Sequence, residues 1–95
     1  MKQTRKRRIL IVDDSEMNRE ILTGILEDEY DIVEAEDGKK SIAIMEEGLY
    51  SFSIVLLDIT MPELDGFGVL QVMQQRNWLK ELPVIIISAE TSNEY

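Results

Sequence analysis

The 95-residue chain has no cysteine, which excludes a disulfide framework and any thiolate metal centre and makes a reducing, cytoplasmic setting the expected one. Long apolar runs are also missing. The longest are far too short to cross a bilayer, and the basic start Lys2 to Arg8 is followed by only four apolar residues before Asp13, too few for a signal-peptide core. No membrane partner is expected. Basic charge is scarce beyond the first eight residues. Five of the ten Lys and Arg residues (Lys2, Arg5, Lys6, Arg7, Arg8) precede Ile9, so five remain against 19 acidic residues, a charge of -14 within an overall -9. An acidic body of this kind repels nucleic acid and attracts cations, so direct nucleic-acid binding is not expected. Residues 1-8 read as a solvated basic extension.

What the chain does have is 44% apolar content, enough for one small domain with a single core. Two of its apolar runs end in carboxylates: Ile9-Leu10-Ile11-Val12 in Asp13-Asp14, and Phe52-Ser53-Ile54-Val55-Leu56-Leu57 in Asp58. Both read as buried strands. Ser15 can cap a first helix, whose apolar positions Met17, Ile21, Leu22, Ile25 and Leu26 recur at helical spacing. A second strand fits Tyr30 to Ala35, and Glu36-Asp37-Gly38 turns into a second helix through about Glu47, with Ile42 and Met45 facing inward. Asp65 or Gly66 opens a third helix with Phe67, Leu70 and Met73 on one side. Leu82-Pro83 then leads into a fourth strand, Val84-Ile85-Ile86-Ile87.

Strands alternating with helices imply βαβ units and a parallel sheet with helices on both faces. Right-handed crossovers in a doubly wound sheet put the second strand on one side of the first and the third on the other. The ends of the first and third strands then flank the switch point, where such sheets bind ligands and neighbouring strands lie ~5 Å apart. Asp13, Asp14 and Asp58 would share that space. Like charges so close raise one another's pKa unless a cation offsets them. Magnesium suits such a site, because it takes one or two carboxylates and keeps waters that a phosphate can displace; manganese could replace it. Calcium stays open on chemistry alone, although no EF-hand loop is present. The same acids could simply cap the first helix, since anions are favoured at helix N-termini. Asp58 tips the reading towards a metal.

With these motifs in hand, the chain resembles the receiver domain of a bacterial two-component response regulator. The resemblance rests on Ile11-Val12-Asp13-Asp14-Ser15, on Asp58 followed by Met61-Pro62 and Asp65-Gly66, and on Ser88-Ala89 after the fourth strand. It implies a flavodoxin-like fold of strand order 2-1-3-4 over residues 9-95. It also implies a phosphorelay switch and not a conventional enzyme. Asp58 would accept a phosphoryl group from a phosphohistidine on a sensor kinase or phosphotransfer protein. Asp14 would ligate magnesium directly and Asp13 mainly through water, with Asp58 and the backbone carbonyl of Thr60 completing the protein ligands. Ser88 would bind the phosphoryl group as part of switching. Thr60 and Glu90 stand where variation tunes the hydrolysis of the acyl phosphate. The Met61-to-Gly66 segment is turn chemistry, in which Pro presets φ and Gly allows positive φ.

Relative to the resemblance, a fifth strand carrying a lysine and the last two helices have no counterpart before Tyr95, so the domain is expected to be C-terminally incomplete. Lys80 precedes the fourth strand and belongs at the far end of the sheet, and Lys39 and Lys40 begin the second helix beyond the wrong strand. The continuous apolar pattern of Val84 to Ile87 is that of a strand covered on both faces, so self-association through it is one expectation. A C-terminal effector domain is another. Two other classes compete: a pseudo-receiver that binds partners without phosphorylation, and a phosphatase of the haloacid dehalogenase type. The latter wants Asp-x-Asp after its first strand, which Asp13-Asp14-Ser15 does not supply.

Overall fold

The computed structural model describes residues 6-59 and 65-87. Helix starts are set by short polar side chains: Ser15 accepts from the Asn18 amide at 3.2 Å, Asp37 from that of Lys40 at 2.7 Å, and Asp65 from that of Gly68 at 2.8 Å. Each satisfies one of the amides that a helix leaves unpaired at its N-terminus. The helices they open are α1 (Glu16–Leu26), α2 (Gly38–Gly48) and α3 (Gly66–Gln75). Between and around them run β1 (Arg7–Val12), β2 (Tyr30–Ala35), β3 (Ile54–Asp58) and β4 (Val84–Ile87). Single 3-10 turns at Leu49–Ser51 and Trp78–Lys80 lead into the last two strands.

All strand pairs are parallel and the sheet order is β2-β1-β3-β4, the expected doubly wound, flavodoxin-like arrangement. Alternation along the buried strands sends side chains to both faces. Leu10, Val12, Val55 and Leu57 pack with Met45 of α2 and Val69 and Met73 of α3. Ile9, Ile11 and Leu56 face the other way, where Leu22 and Leu26 of α1 lie against them. This two-sided burial explains why Ile9 to Val12 and Ile54 to Leu57, the stretches that lead into Asp13 and Asp58, carry no polar residue.

Several sequence expectations are corrected in detail. The first strand begins at Arg7, so Arg7 and Arg8 belong to the sheet, in register with Tyr30 and Asp31, and not to a separate extension. Arg8 carries its guanidinium 5.7 Å from the Phe52 ring centroid, a cation–π contact that lets a charged residue sit at the sheet margin. The third strand starts at Ile54, not Phe52. On α3, Phe67 is exposed, and Val69 takes the inward place beside Met73. On α1, only Leu22 and Leu26 of the five periodic positions meet the core; Met17, Ile21 and Ile25 are exposed. Ile85 and Ile86 of β4 are exposed, in keeping with the expectation of an exposed fourth strand in this chain.

Candidate functional site

The register fixes where the acids go. Val12 of β1 pairs with Leu57 of β3, so the next residues, Asp13 and Asp58, leave adjacent strands at the same level. Ligand oxygens of Asp13, Asp14 and Asp58 all lie within 4.8 Å of one another. Asp13 and Asp58 are buried and Asp14 is exposed, so the cluster has a closed floor and a side open to solvent.

Asp13 is held at every polar group. Its amide donates to the Ala35 carbonyl at 3.1 Å, one carboxylate oxygen accepts from the Ser15 amide at 2.9 Å, and the other faces the Asn18 side-chain amide at 3.5 Å. Its carbonyl accepts from Nη1 of Arg19 at 2.6 Å. Burial pushes the Asp13 carboxyl above its ordinary pKa, the Ser15 amide opposes the rise, and the charges of Asp58 and Asp14 add to it. A carboxylate held in this way favours either a proton or a cation.

The donor set fits a hard divalent cation: oxygen-only ligands, a narrow spacing, and an open side where waters can remain. Thr60, Ser88 and Glu90 lie outside the described residues, as does Met61-Pro62-Glu63-Leu64. Lys80 closes the 3-10 turn before β4, at the end of the sheet opposite the acids, as expected. Lys40, in the first turn of α2, pairs with Glu36 of the preceding loop at 2.7 Å.

The sequence reading missed Asn18, Arg19, Glu34 and the true role of Gly66. Among the described residues no glycine has a positive φ; Gly66 is instead the first residue of α3 and lies hard against the Asp58 backbone. Arg19 and Glu34 meet only through the α1–β2 packing, across fifteen residues, and no spacing rule announces such a pair.

Comparison with known proteins agrees with this geometry. Residues 9–95 match the family described as the response regulator receiver domain. The two-component response regulator ORR5 of Oryza sativa subsp. japonica is 31% identical over 83 residues, covering 86% of this chain and 61% of its own length. The chain therefore spans about three fifths of that relative. Chemotaxis protein CheY4 of Vibrio cholerae superposes with a TM-score of 0.80 at 27% identity, covering 95% of this chain and 74% of that one. The CheY of a CheX-CheY-BeF3-Mg2+ complex from Borrelia burgdorferi gives a TM-score of 0.78 at 34% identity, covering 93% and 66%.

Proposed function

The chain belongs to the response regulator receiver domain family, and we propose that residues 9-95 act in phosphorelay signalling by taking a phosphoryl group on Asp58. The observation that carries this reading is the meeting of Asp13, Asp14 and Asp58 at the ends of β1 and β3. A carboxylate oxygen of Asp58 attacks the phosphorus of a phosphohistidine on a kinase or phosphotransfer partner. The P–O bond forms as the P–N bond breaks, and the electron pair returns to the imidazole. The product is an aspartyl phosphate.

Asp13, Asp14 and Asp58, with the backbone carbonyl of Thr60, would hold magnesium or manganese. Such an ion supplies charge neutralisation to the phosphoryl oxygens. The chain's own part is to fix the acceptor. Burial of Asp58 on a strand packed on both faces limits its rotamers and excludes competing water from its floor, leaving solvent access on the Asp14 side. Ser88 would bind the phosphoryl group, and Thr60 and Glu90 would tune its lifetime. The Borrelia relative, solved with Mg2+ and BeF3, supports a metal-assisted reading of the same fold. The intact acidic triad weighs against a silent pseudo-receiver. A cytoplasmic site of action fits a chain in which no helix among the described residues is long and apolar enough to cross a membrane.

The chemistry has a direct test. After exposure to a small phosphodonor, borohydride reduction converts an aspartyl phosphate to homoserine. Peptide sequencing by mass spectrometry is expected to place the homoserine at position 58; its appearance elsewhere, with Asp58 unmodified, overturns the assignment.

A further inference from the structure

Arg19 is a cation placed beside an acidic cluster, and its hydrogen bonds go to a main-chain carbonyl and to Glu34. Its guanidinium donates from Nη1 to the Asp13 carbonyl at 2.6 Å and from Nε to Oε1 of Glu34 at 2.9 Å, and its side chain is only 12% exposed. Glu34 lies on β2, and its second oxygen accepts from the Thr23 hydroxyl of α1 at 3.2 Å. One side chain thus ties the end of β1 to α1 and β2.

The carbonyl it holds belongs to the peptide that joins Asp13 to Asp14. That unit is planar, so fixing its oxygen fixes the ψ of Asp13 and the φ of Asp14 together, and with them the directions of two carboxylates. The Asp13 amide is already fixed by the Ala35 carbonyl, so Arg19 removes the remaining freedom at this corner. Glu34 offsets the guanidinium charge, which would otherwise repel a cation bound nearby.

We infer that Arg19 is a positioning residue for the divalent-cation site: it locks the Asp13–Asp14 peptide through its carbonyl, while Glu34 orients and neutralises the guanidinium. This rests on the cation-binding reading given above. Position and charge predict opposite signs, which makes the role separable. As a simple positive charge, Arg19 weakens cation binding, and its removal tightens it. As a clamp, its removal weakens binding, by roughly tenfold if it acts as residues behind metal ligands usually do. Lysine keeps the charge but cannot donate in a fork to two acceptors on different strands.

The experiment is Mn2+ binding followed by electron paramagnetic resonance on the wild-type chain, Arg19→Met, Arg19→Lys and the pair Arg19→Met with Glu34→Leu, with amide NMR spectra to confirm the fold. Weaker binding is expected in all three variants, with Arg19→Lys between wild type and Arg19→Met. The paired variant holds net charge constant, so loss there reads position alone. Unchanged affinity in Arg19→Lys, or tighter binding in Arg19→Met, overturns the inference. Should Arg19→Met fail to fold, Arg19→Lys decides alone, since a charge-only role leaves its affinity unchanged. Absence of binding to the wild-type chain would instead sink the cation site itself, an outcome distinct from the failure of the clamp.

Discussion

Gly66 lies against the backbone of Asp58 so closely that a Cβ at Gly66 would stand 2.5 Å from the Asp58 carbonyl oxygen and 2.5 Å from the Ile59 Cα. Both atoms are main chain, so no rotamer change relieves the clash. The start of α3 is thereby docked on the end of the strand that carries the proposed acceptor. Gly66→Ala is expected to push the two apart, costing about 1–3 kcal/mol in urea unfolding and slowing phosphoryl uptake beyond what that loss explains. Uptake at the wild-type rate in the folded variant would contradict the docking role.

Gly24 is the internal control. A Cβ there meets nothing within 4 Å, and the residue is exposed in the middle of α1. Gly24→Ala is expected to stabilise the chain by about 0.5–1 kcal/mol, through the lower entropy of the unfolded chain and the better helix propensity. Thermal unfolding measures this, and phosphoryl uptake should not change.

Asp13 gives the pH dependence. Its folded pKa is raised, chiefly by burial, so the native state binds its proton more tightly than the unfolded chain does. Without a divalent cation this contribution is fully present below the ordinary carboxylate pKa and is lost as pH rises through the raised one. Asp13→Asn should therefore unfold at a higher temperature than wild type in chelator at pH 7, with the advantage vanishing at low pH. Magnesium is expected to stabilise wild type more than the variant. A variant less stable than wild type in chelator at pH 7 would refute the account of Asp13 as a carboxylate penalised chiefly by burial.

The Ser15 hydroxyl separates stability from chemistry. It accepts from the Asn18 amide, whereas Asp13 is bonded by the Ser15 main chain. Ser15→Ala should cost about 1 kcal/mol by loss of the cap while cation affinity stays at the wild-type level. Denaturant titration and Mn2+ binding on the same sample check both halves.

Much of the architecture was legible because the signals are local. Apolar runs closed by acids marked β1 and β3, and Ser15 and Asp65 marked helix starts that the structure keeps. Which face of a helix turns inward was less legible, because it depends on docking. Gly66 meets β3, so positions 66, 69 and 73 lie inside and Phe67 is carried outward, although it is the larger apolar residue. Likewise α1 offers two apolar stripes, and only the Leu22–Leu26 stripe reaches the sheet. In the site, the three aspartates could be read from strand ends. Arg19 and Glu34 could not, because their pairing exists only after α1 folds back on β2.

The central claim is that Asp58 takes a phosphoryl group with the help of a cation held by the acidic cluster. Its most direct measurement is the intact mass of the chain after incubation with a small phosphodonor, with magnesium or with chelator, beside Asp58→Asn. One phosphoryl adduct is expected with magnesium, and none with chelator or in the variant. An adduct of equal yield in Asp58→Asn would contradict the account, as would a folded wild-type chain that gains no mass in the presence of magnesium.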